Sequence, residues 1–141
     1  QEAANHIIGT HNFSTFGTPP EEGGHCIREI LAIEIRTSSP CLITIDIKGR
    51  SFLYHMVRCL VANLRVIGSG KKPPVEMKRR LELRDRSVSS VLAPPQGLVL
   101  AEVGFWGEKG EINFEDWAHT KPNEAEFSRR LQEQAARSSS G

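Results

Sequence analysis

The sequence has few cysteines, no paired-cysteine motif and no long apolar run. Its three cysteines are an odd number without CxxC spacing, which argues against both a disulfide framework and a zinc site. They are Cys26, Cys41 and Cys59. This usage predicts a reducing, intracellular compartment, with cytoplasm, nucleus and organelle left open. No apolar stretch approaches the ~20 residues of a membrane span, so we expect no membrane partner.

The composition also lacks a strong charge imbalance. Net charge is +1, so overall charge says nothing about partners. With 141 residues, 38% hydrophobic and 25% charged, the chain has the size and composition of one soluble globular domain with a real core. Gln1 falls inside a predicted helix, so we expect the chain to be a piece of a longer protein, and the lack of a recognisable targeting signal then says little.

The strongest periodic signal predicts a helix from Ser51 to about Ile67. Apolar residues recur at steps of three and four and form a continuous stripe. The stripe consists of Leu53, Met56, Val57, Leu60, Leu64 and Ile67. Gly68 is a normal stop for such a helix. Arg58 and Arg65 share a face beside the stripe, and Arg58 is either a flank residue with its head in water or a placed charge.

The remaining patterns predict an α/β fold of the α+β type, with an antiparallel sheet and helices packed on one face. Residues 27–37 and 41–48 alternate apolar and polar side chains, which indicates the two strands of a hairpin. Prolines 73 and 74 open a second helix, and a third strand is predicted at 97–105. Short helical patterns also occur at the start of residues 1–16 and at 124–136.

Residues 71–86 form the most basic stretch, with a local surplus of four positive charges. Two interpretations remain open. The first is a solvated helix face with i,i+4 pairs such as Glu76 with Arg80. The second is a surface that follows RNA phosphates. The residues that would bind RNA in the second case are Lys71, Lys72, Lys78 and Arg79.

Five short motifs follow one another along the chain. Phe-Leu-Tyr-His-Met-Val-Arg occupies residues 52–58 of the predicted central helix. The others are Gly-Thr-His-Asn-Phe-Ser-Thr-Phe at 9–16, Cys-Ile-Arg-Glu-Ile at 26–30, Asp-Arg-Ser at 85–87, and Ala-Pro-Pro-Gln-Gly-Leu-Val-Leu at 93–100. In this order they closely resemble the C-terminal half of the TruA family of tRNA pseudouridine synthases, over about residues 3 to 106. The chain departs from that pattern at Asn12, where the bacterial motif has Asp.

The resemblance implies a role for several residues. Each half of a TruA enzyme is an α/β unit, and the two sheets join around a positively charged cleft. Arg58 matches the arginine that pairs with the catalytic aspartate, and Leu98 matches an apolar residue near the target base. We also expect His55 and His11 to bind substrate, although a histidine beside aromatic residues, as His11 is, can instead be structural. The family reaction needs no metal or organic cofactor, and nothing in the sequence suggests one.

The resemblance also sets the expected organisation and leaves the function between two classes. We expect a TruA-like domain at 1–106 and a C-terminal extension at 107–141. The family's Arg-x-Asp motif does not occur here, so the chain is either the C-terminal half of a synthase whose nucleophile lies upstream, or a non-catalytic RNA-binding or assembly module. The implied partners are tRNA and the N-terminal half of the same protein, with a homodimer left open. A generic α/β domain without an RNA role is the third reading.

Overall fold

The computed structural model describes residues 1–101 together with Arg129 and Ala136. The elements in chain order are helix α1 (Glu2–Asn5), strands β1 (Gly9–Asn12), β2 (Ile27–Ser39) and β3 (Leu42–Gly49), helices α2 (Met56–Gly68) and α3 (Val75–Leu83), and 3₁₀ turns at Arg86–Ser89 and Pro95–Gly97. The chain divides into two compact units, Gln1–Ala93 and Pro94–Gly141.

The described sheet has three antiparallel strands in the order β1-β2-β3. The predicted hairpin is therefore confirmed, and its strands turn tightly, with Ser39 paired to Leu42. The described part of the predicted third strand is not a strand, since residues 97–101 lie outside any strand. The third strand of the described sheet is β1, which the sequence patterns did not predict. The rest of the predicted strand at 97–105 lies outside the described residues.

Strand β2 contains a bulge that changes which side chains face the core. Ile30 pairs with Gly49 and Ala32 with Lys48, so Leu31 is an extra residue on β2. One unpaired residue reverses the alternation of inward and outward side chains along a strand. As a result Ile30 and Ile33 are both buried, although simple alternation puts them on opposite faces.

The hairpin and the helices share one hydrophobic core, as predicted for an α+β fold with helices on one face of the sheet. The Ile33–Ile47 and Ile35–Ile45 pairs lie in or against this core. Arg36 belongs to the opposite face, where it forms an ion pair with Asp46 at 2.5 Å. The core also receives Ala3, Ala4 and Ile7 from the α1 region, Phe13 and Phe16 from the chain after β1, and Met77 and Leu81 from α3.

Helix α2 is confirmed but begins later than the sequence predicts. It starts at Met56 rather than Ser51, because the N–H and C=O of Tyr54 pair with Thr18 over 2.9 and 3.4 Å instead of joining the helix. Leu53, Leu60 and Leu64 are buried as predicted, whereas Val57 is only partly buried. Leu53 is thus a core residue supplied by an extended segment.

Helix α3 begins after Pro74, as the two prolines predict. The face that this helix turns to the core is narrow. Met77 and Leu81 are buried, whereas Val75 and Leu83 are 56% and 45% exposed. Two apolar contacts one turn apart suffice to dock this nine-residue helix, which leaves most of its surface to charged side chains.

The second unit is described only at Pro94–Ala101, Arg129 and Ala136. Pro95–Gly97 forms a 3₁₀ turn, and the Leu98 N–H donates to the Pro95 carbonyl over 3.0 Å. The helix predicted at 124–136 lies outside the described residues apart from Arg129 and Ala136, which are both helical. The extension proposed at 107–141 also lies outside the described residues, those two excepted.

Candidate active site around Arg58

Arg58 lies in the first turn of α2 and is half-buried. Its Nε donates to the Ala93 carbonyl over 2.8 Å, and the Ala93 N–H donates to the Arg58 carbonyl over 3.0 Å. Among the residues that the structure describes, Nη1 and Nη2 of this guanidinium make no hydrogen bond. A guanidinium held through Nε keeps two terminal nitrogens with which it can bind a carboxylate or a phosphate.

A buried polar cluster lies behind this arginine and holds the segment that leads to Ala93. The Cys59 thiol donates to the Ser89 carbonyl over 2.9 Å, and Asn63 Nδ2 donates to the Ser89 hydroxyl over 2.5 Å. Arg86 Nη1 also donates to the Ser89 carbonyl. Buried polar groups satisfied in this way fix one arrangement of the chain. The sequence analysis missed this cluster, because its members lie on separate elements and only the i,i+4 spacing of Cys59 and Asn63 hints at it.

Leu98 follows the turn at Pro95–Gly97 in the second unit, and its side chain is 41% exposed. Leu100, two residues on, is 78% exposed. Partly exposed leucines at the end of a turn leave an apolar surface that a flat base can contact.

His55 caps α2 with a left-handed backbone, at φ 61°. Its ring stacks against that of Tyr54, with centroids 3.8 Å apart and the planes tilted by 31°. Tyr54 is 63% exposed. Tyr54 belongs to the motif at 52–58, but it lies off the apolar stripe and no periodicity marks it as a functional residue.

His11 lies on β1, where its Nε2 and the Ile8 carbonyl are 2.9 Å apart and its ring meets Phe13 edge-on at 5.8 Å. Both contacts fit a structural histidine. His11 also lines an open groove of about 350 Å³ together with Lys78. The groove is completed by His6, Asn12, Leu81, Glu82 and Arg84. The fold therefore brings His11 of the motif at 9–16 and Lys78 of the basic stretch to one surface.

The four basic residues proposed for RNA binding differ in whether a nearby carboxylate neutralises their charge. Lys71 and Lys72 are exposed before α3 and form no ion pair within the described residues. Lys78 Nζ lies 4.0 Å from Oε1 of Glu82. Arg79 binds Glu76 in a two-point contact, from Nε over 2.8 Å and from Nη2 over 2.7 Å.

Glu76 is the buried acid of α3 and is held by two arginines. Arg80 Nε donates to it over 3.0 Å, which confirms the predicted i,i+4 pair, and Arg79 completes the cluster. The hydrogen bonds from Arg79, then Arg80, lower the pKa of Glu76 to about 2. The carboxylate therefore stays ionised across the physiological range and neutralises part of the basic stretch.

In the described parts of the chain, no group of three or more His, Cys, Asp or Glu side chains could hold a metal ion. A search of those residues for an apolar helix of membrane-spanning length found none.

Comparison with known proteins assigns the chain to a family. The family model described as tRNA pseudouridine synthase matches residues 3–105. A tRNA pseudouridine synthase A from Gluconobacter oxydans is 38% identical over 105 residues, which are 74% of this chain and 38% of that protein. The enzyme of the same name from Fervidobacterium nodosum is 44% identical over 103 residues, 73% of this chain and 42% of that protein.

A third relative, the tRNA pseudouridine synthase A of Chlamydia muridarum, is 39% identical over 105 residues, 74% of this chain and 39% of that protein. The chain thus spans about two fifths of the length of these curated relatives. The match includes Arg58, Ala93 and Leu98. The chain belongs to the TruA family of tRNA pseudouridine synthases.

Proposed function

We propose that this chain is the C-terminal half of the catalytic domain of an enzyme that converts uridine to pseudouridine in tRNA. In this proposal Arg58 pairs with a nucleophilic aspartate carried by residues upstream of Gln1. The chain also provides an RNA-binding surface. The family match and the names of the relatives support the reaction class. The observation that carries the role of this chain is the half-buried Arg58, whose Nη1 and Nη2 make no hydrogen bond to any residue that the structure describes.

The proposed reaction is an isomerisation and consumes no other reagent. The aspartate attacks C1′ of the flipped nucleotide and forms an ester bond as the C1′–N1 bond to uracil breaks, and the detached base turns. C5 of the base then displaces the carboxylate from C1′, which restores the free aspartate. The proton leaves C5, and N1 carries a proton in the product. The aspartate must be ionised before it attacks. An opposite charge within ~4–6 Å favours that form, and this is the work proposed for Arg58.

The geometry of the arginine supports that role over a packing role. An arginine that only packs extends its stem over apolar surface and leaves its head in water. Arg58 instead has its Nε bound to the Ala93 carbonyl, which sets the plane of the guanidinium. A fixed plane lets a carboxylate meet both terminal nitrogens at once, which a lysine could not reproduce.

The proposed substrate contacts are spread over the chain. Leu98 contacts the target base, His55 and His11 contact the tRNA, and Lys71, Lys72, Lys78 and Arg79 follow its phosphates. The upstream half of the protein is the obligatory partner, since it would supply the aspartate.

The test is a pair of substitutions in the full-length protein, Arg58→Lys and Arg58→Ala. Single-turnover formation of pseudouridine in an unmodified tRNA should fall by on the order of 100-fold in Arg58→Lys, because the charge remains but the planar pair of donors is lost. Arg58→Ala should lose more, because the aspartate is then left unpaired. Melting temperatures should change little.

Arg65→Lys is the matched control, since Arg65 lies seven residues on along α2 and is exposed. It should keep the wild-type rate. Near-normal rates per folded molecule in both Arg58 variants would make Arg58 a packing residue and end the assignment.

The 141 residues alone should not make pseudouridine. Turnover by this chain without its upstream half would move the nucleophile into it, with Asp46, Asp85 and Asp116 as the candidates. Absence of turnover in the full-length protein would favour a non-catalytic RNA-binding or assembly module instead.

A further inference from the structure

Tyr54 presents an aromatic face that nothing in the described structure covers. Its side chain is 63% exposed, and among the described residues its ring contact is the stack on His55. A ring already held against a second flat ring has lost much of its rotational freedom. It can therefore receive a third flat group at little further entropic cost.

The backbone around this ring is fixed on both sides. The N–H and C=O of Tyr54 both pair with Thr18. Gly17 allows this approach, because a Cβ there would lie 2.7 Å from the Cβ of Leu53 and 2.9 Å from the Tyr54 carbonyl oxygen. The ring is therefore carried by a rigid segment.

His55 adds an independent sign of function. It adopts φ 61°, in the left-handed region, although it has a side chain that disfavours this conformation. Non-glycine residues held in this way concentrate at ligand-binding and catalytic sites. Here the left-handed backbone of His55 places its imidazole under the Tyr54 ring, so the strained His55 supports the exposed Tyr54.

The stacked pair adjoins Arg58. The His55 carbonyl accepts from the Cys59 N–H over 3.0 Å, which makes His55 part of the first turn of α2. Arg58 follows three residues later, and residues three apart are neighbours on a helix surface. The stacked pair and Arg58 therefore lie at the same end of α2.

We propose that Tyr54 is a stacking platform for the unpaired tRNA base that flanks the uridine being isomerised. The proposal rests on the proposed function, because the flanking base is defined by the flipped one. Flipping a nucleotide out of an RNA stack removes a stacking partner from its neighbour, and an aromatic side chain can replace that partner. Such stacking accepts any base, so Tyr54 adds affinity without reading sequence.

The test uses the full-length protein and a tRNA transcript. The modified uridine is first mapped by reaction with wild-type protein. A fluorescent adenine analogue is then placed in turn on each side of it. Binding should quench the analogue on one side, because stacking on an aromatic ring quenches its emission. Tyr54→Phe keeps the ring and should keep both the quenching and the affinity.

Tyr54→Leu removes the ring but keeps an apolar side chain. It should abolish the quenching and weaken tRNA binding by roughly 5- to 100-fold, with an unchanged melting temperature. Ile43→Leu is the control, since Ile43 is also exposed, at 65%, but lies at the far end of the hairpin. It should behave as wild type.

Two results overturn the inference while the proposed function stands. In the first, wild type makes pseudouridine and Tyr54→Leu quenches and binds as wild type does. In the second, Tyr54→Leu lowers the melting temperature and loses binding only in proportion to the folded fraction, which would show that the ring packs on the upstream half of the protein. A wild-type protein that makes no pseudouridine overturns the proposed function and the inference with it.

Discussion

The main chain of Ala93 forms two hydrogen bonds with Arg58. Its N–H donates to the Arg58 carbonyl over 3.0 Å, and its carbonyl accepts from Arg58 Nε over 2.8 Å. One residue of the loop thus holds both the backbone and the side chain of the candidate catalytic arginine. Ala93 is also the last residue of the first compact unit.

The first prediction follows from this contact. Ala93→Pro removes the N–H donor while keeping the carbonyl, and should lower the free energy of unfolding by about 0.5–1.5 kcal/mol. The single-turnover rate of the full-length enzyme should fall by more than the folded fraction, because the loop loses one of its two bonds to Arg58 and holds the carbonyl that orients the guanidinium less firmly. Val91→Pro is the control, since Val91 is 73% exposed and its N–H makes no hydrogen bond within the described residues. Equal rates in the two variants would contradict a positioning role for Ala93.

The second prediction separates free from neutralised charges in the basic stretch. Lys71→Ala with Lys72→Ala should weaken tRNA binding and flatten the plot of log affinity against log salt by about 0.7–0.9 per lost phosphate contact. Arg79→Ala should change the slope less, because that guanidinium is already bound to Glu76. Affinity measured at several salt concentrations gives both slopes. An unchanged slope in the double variant would return these lysines to the solvated-face interpretation.

The third prediction concerns Glu76 and pH. Its folded-state pKa of about 2 lies below the ordinary value of 4.5, so the ionised form stabilises the fold. That contribution is complete above the ordinary pKa and is lost as pH falls through the folded-state value. Glu76→Gln should cost roughly 1–3 kcal/mol near neutral pH, measured by denaturant unfolding, and the difference from wild type should shrink toward about pH 2.

Glu82→Gln provides the control for that experiment. Glu82 is exposed and lies 4.0 Å from Lys78, so its loss should change stability by less than about 1 kcal/mol at any pH. A difference for Glu76→Gln that stayed constant down to low pH would show that the stabilisation does not come from the ionised carboxylate.

Local patterns predicted the elements whose periodicity is uninterrupted. The hairpin followed from the alternation at 27–37 and 41–48, and α2 followed from the stripe that includes Leu60 and Leu64. The short strand β1 was missed, because four residues carry too little periodicity to distinguish a strand from a turn. The start of α2 was placed too early, because Leu53 continues the apolar stripe although it belongs to an extended segment.

Some residues of the candidate site could likewise be predicted from the sequence, and others could not. Arg58, Leu98 and the histidines could be named from motifs, since a motif is a local string of residues. Ala93 and the cluster around Ser89 could not, because their bonds join residues about thirty positions apart. Long-range hydrogen bonds depend on how elements pack, and no local pattern records them.

By itself, the sequence determined the family, the fold class and the choice of Arg58 as the candidate catalytic arginine. All three depend on residue types at short spacings. The tertiary structure decided which charges are free and which rings are exposed. Arg79 and Lys71 look alike in a basic stretch, yet the docking of α3 buries Glu76, which binds Arg79 one turn along the same helix. Tyr54 looks like any residue of its motif, yet the pairing with Thr18 and the left-handed His55 hold its ring open to solvent. The burial of Glu76 and the exposure of Tyr54 both depend on contacts between distant segments, which no local pattern records.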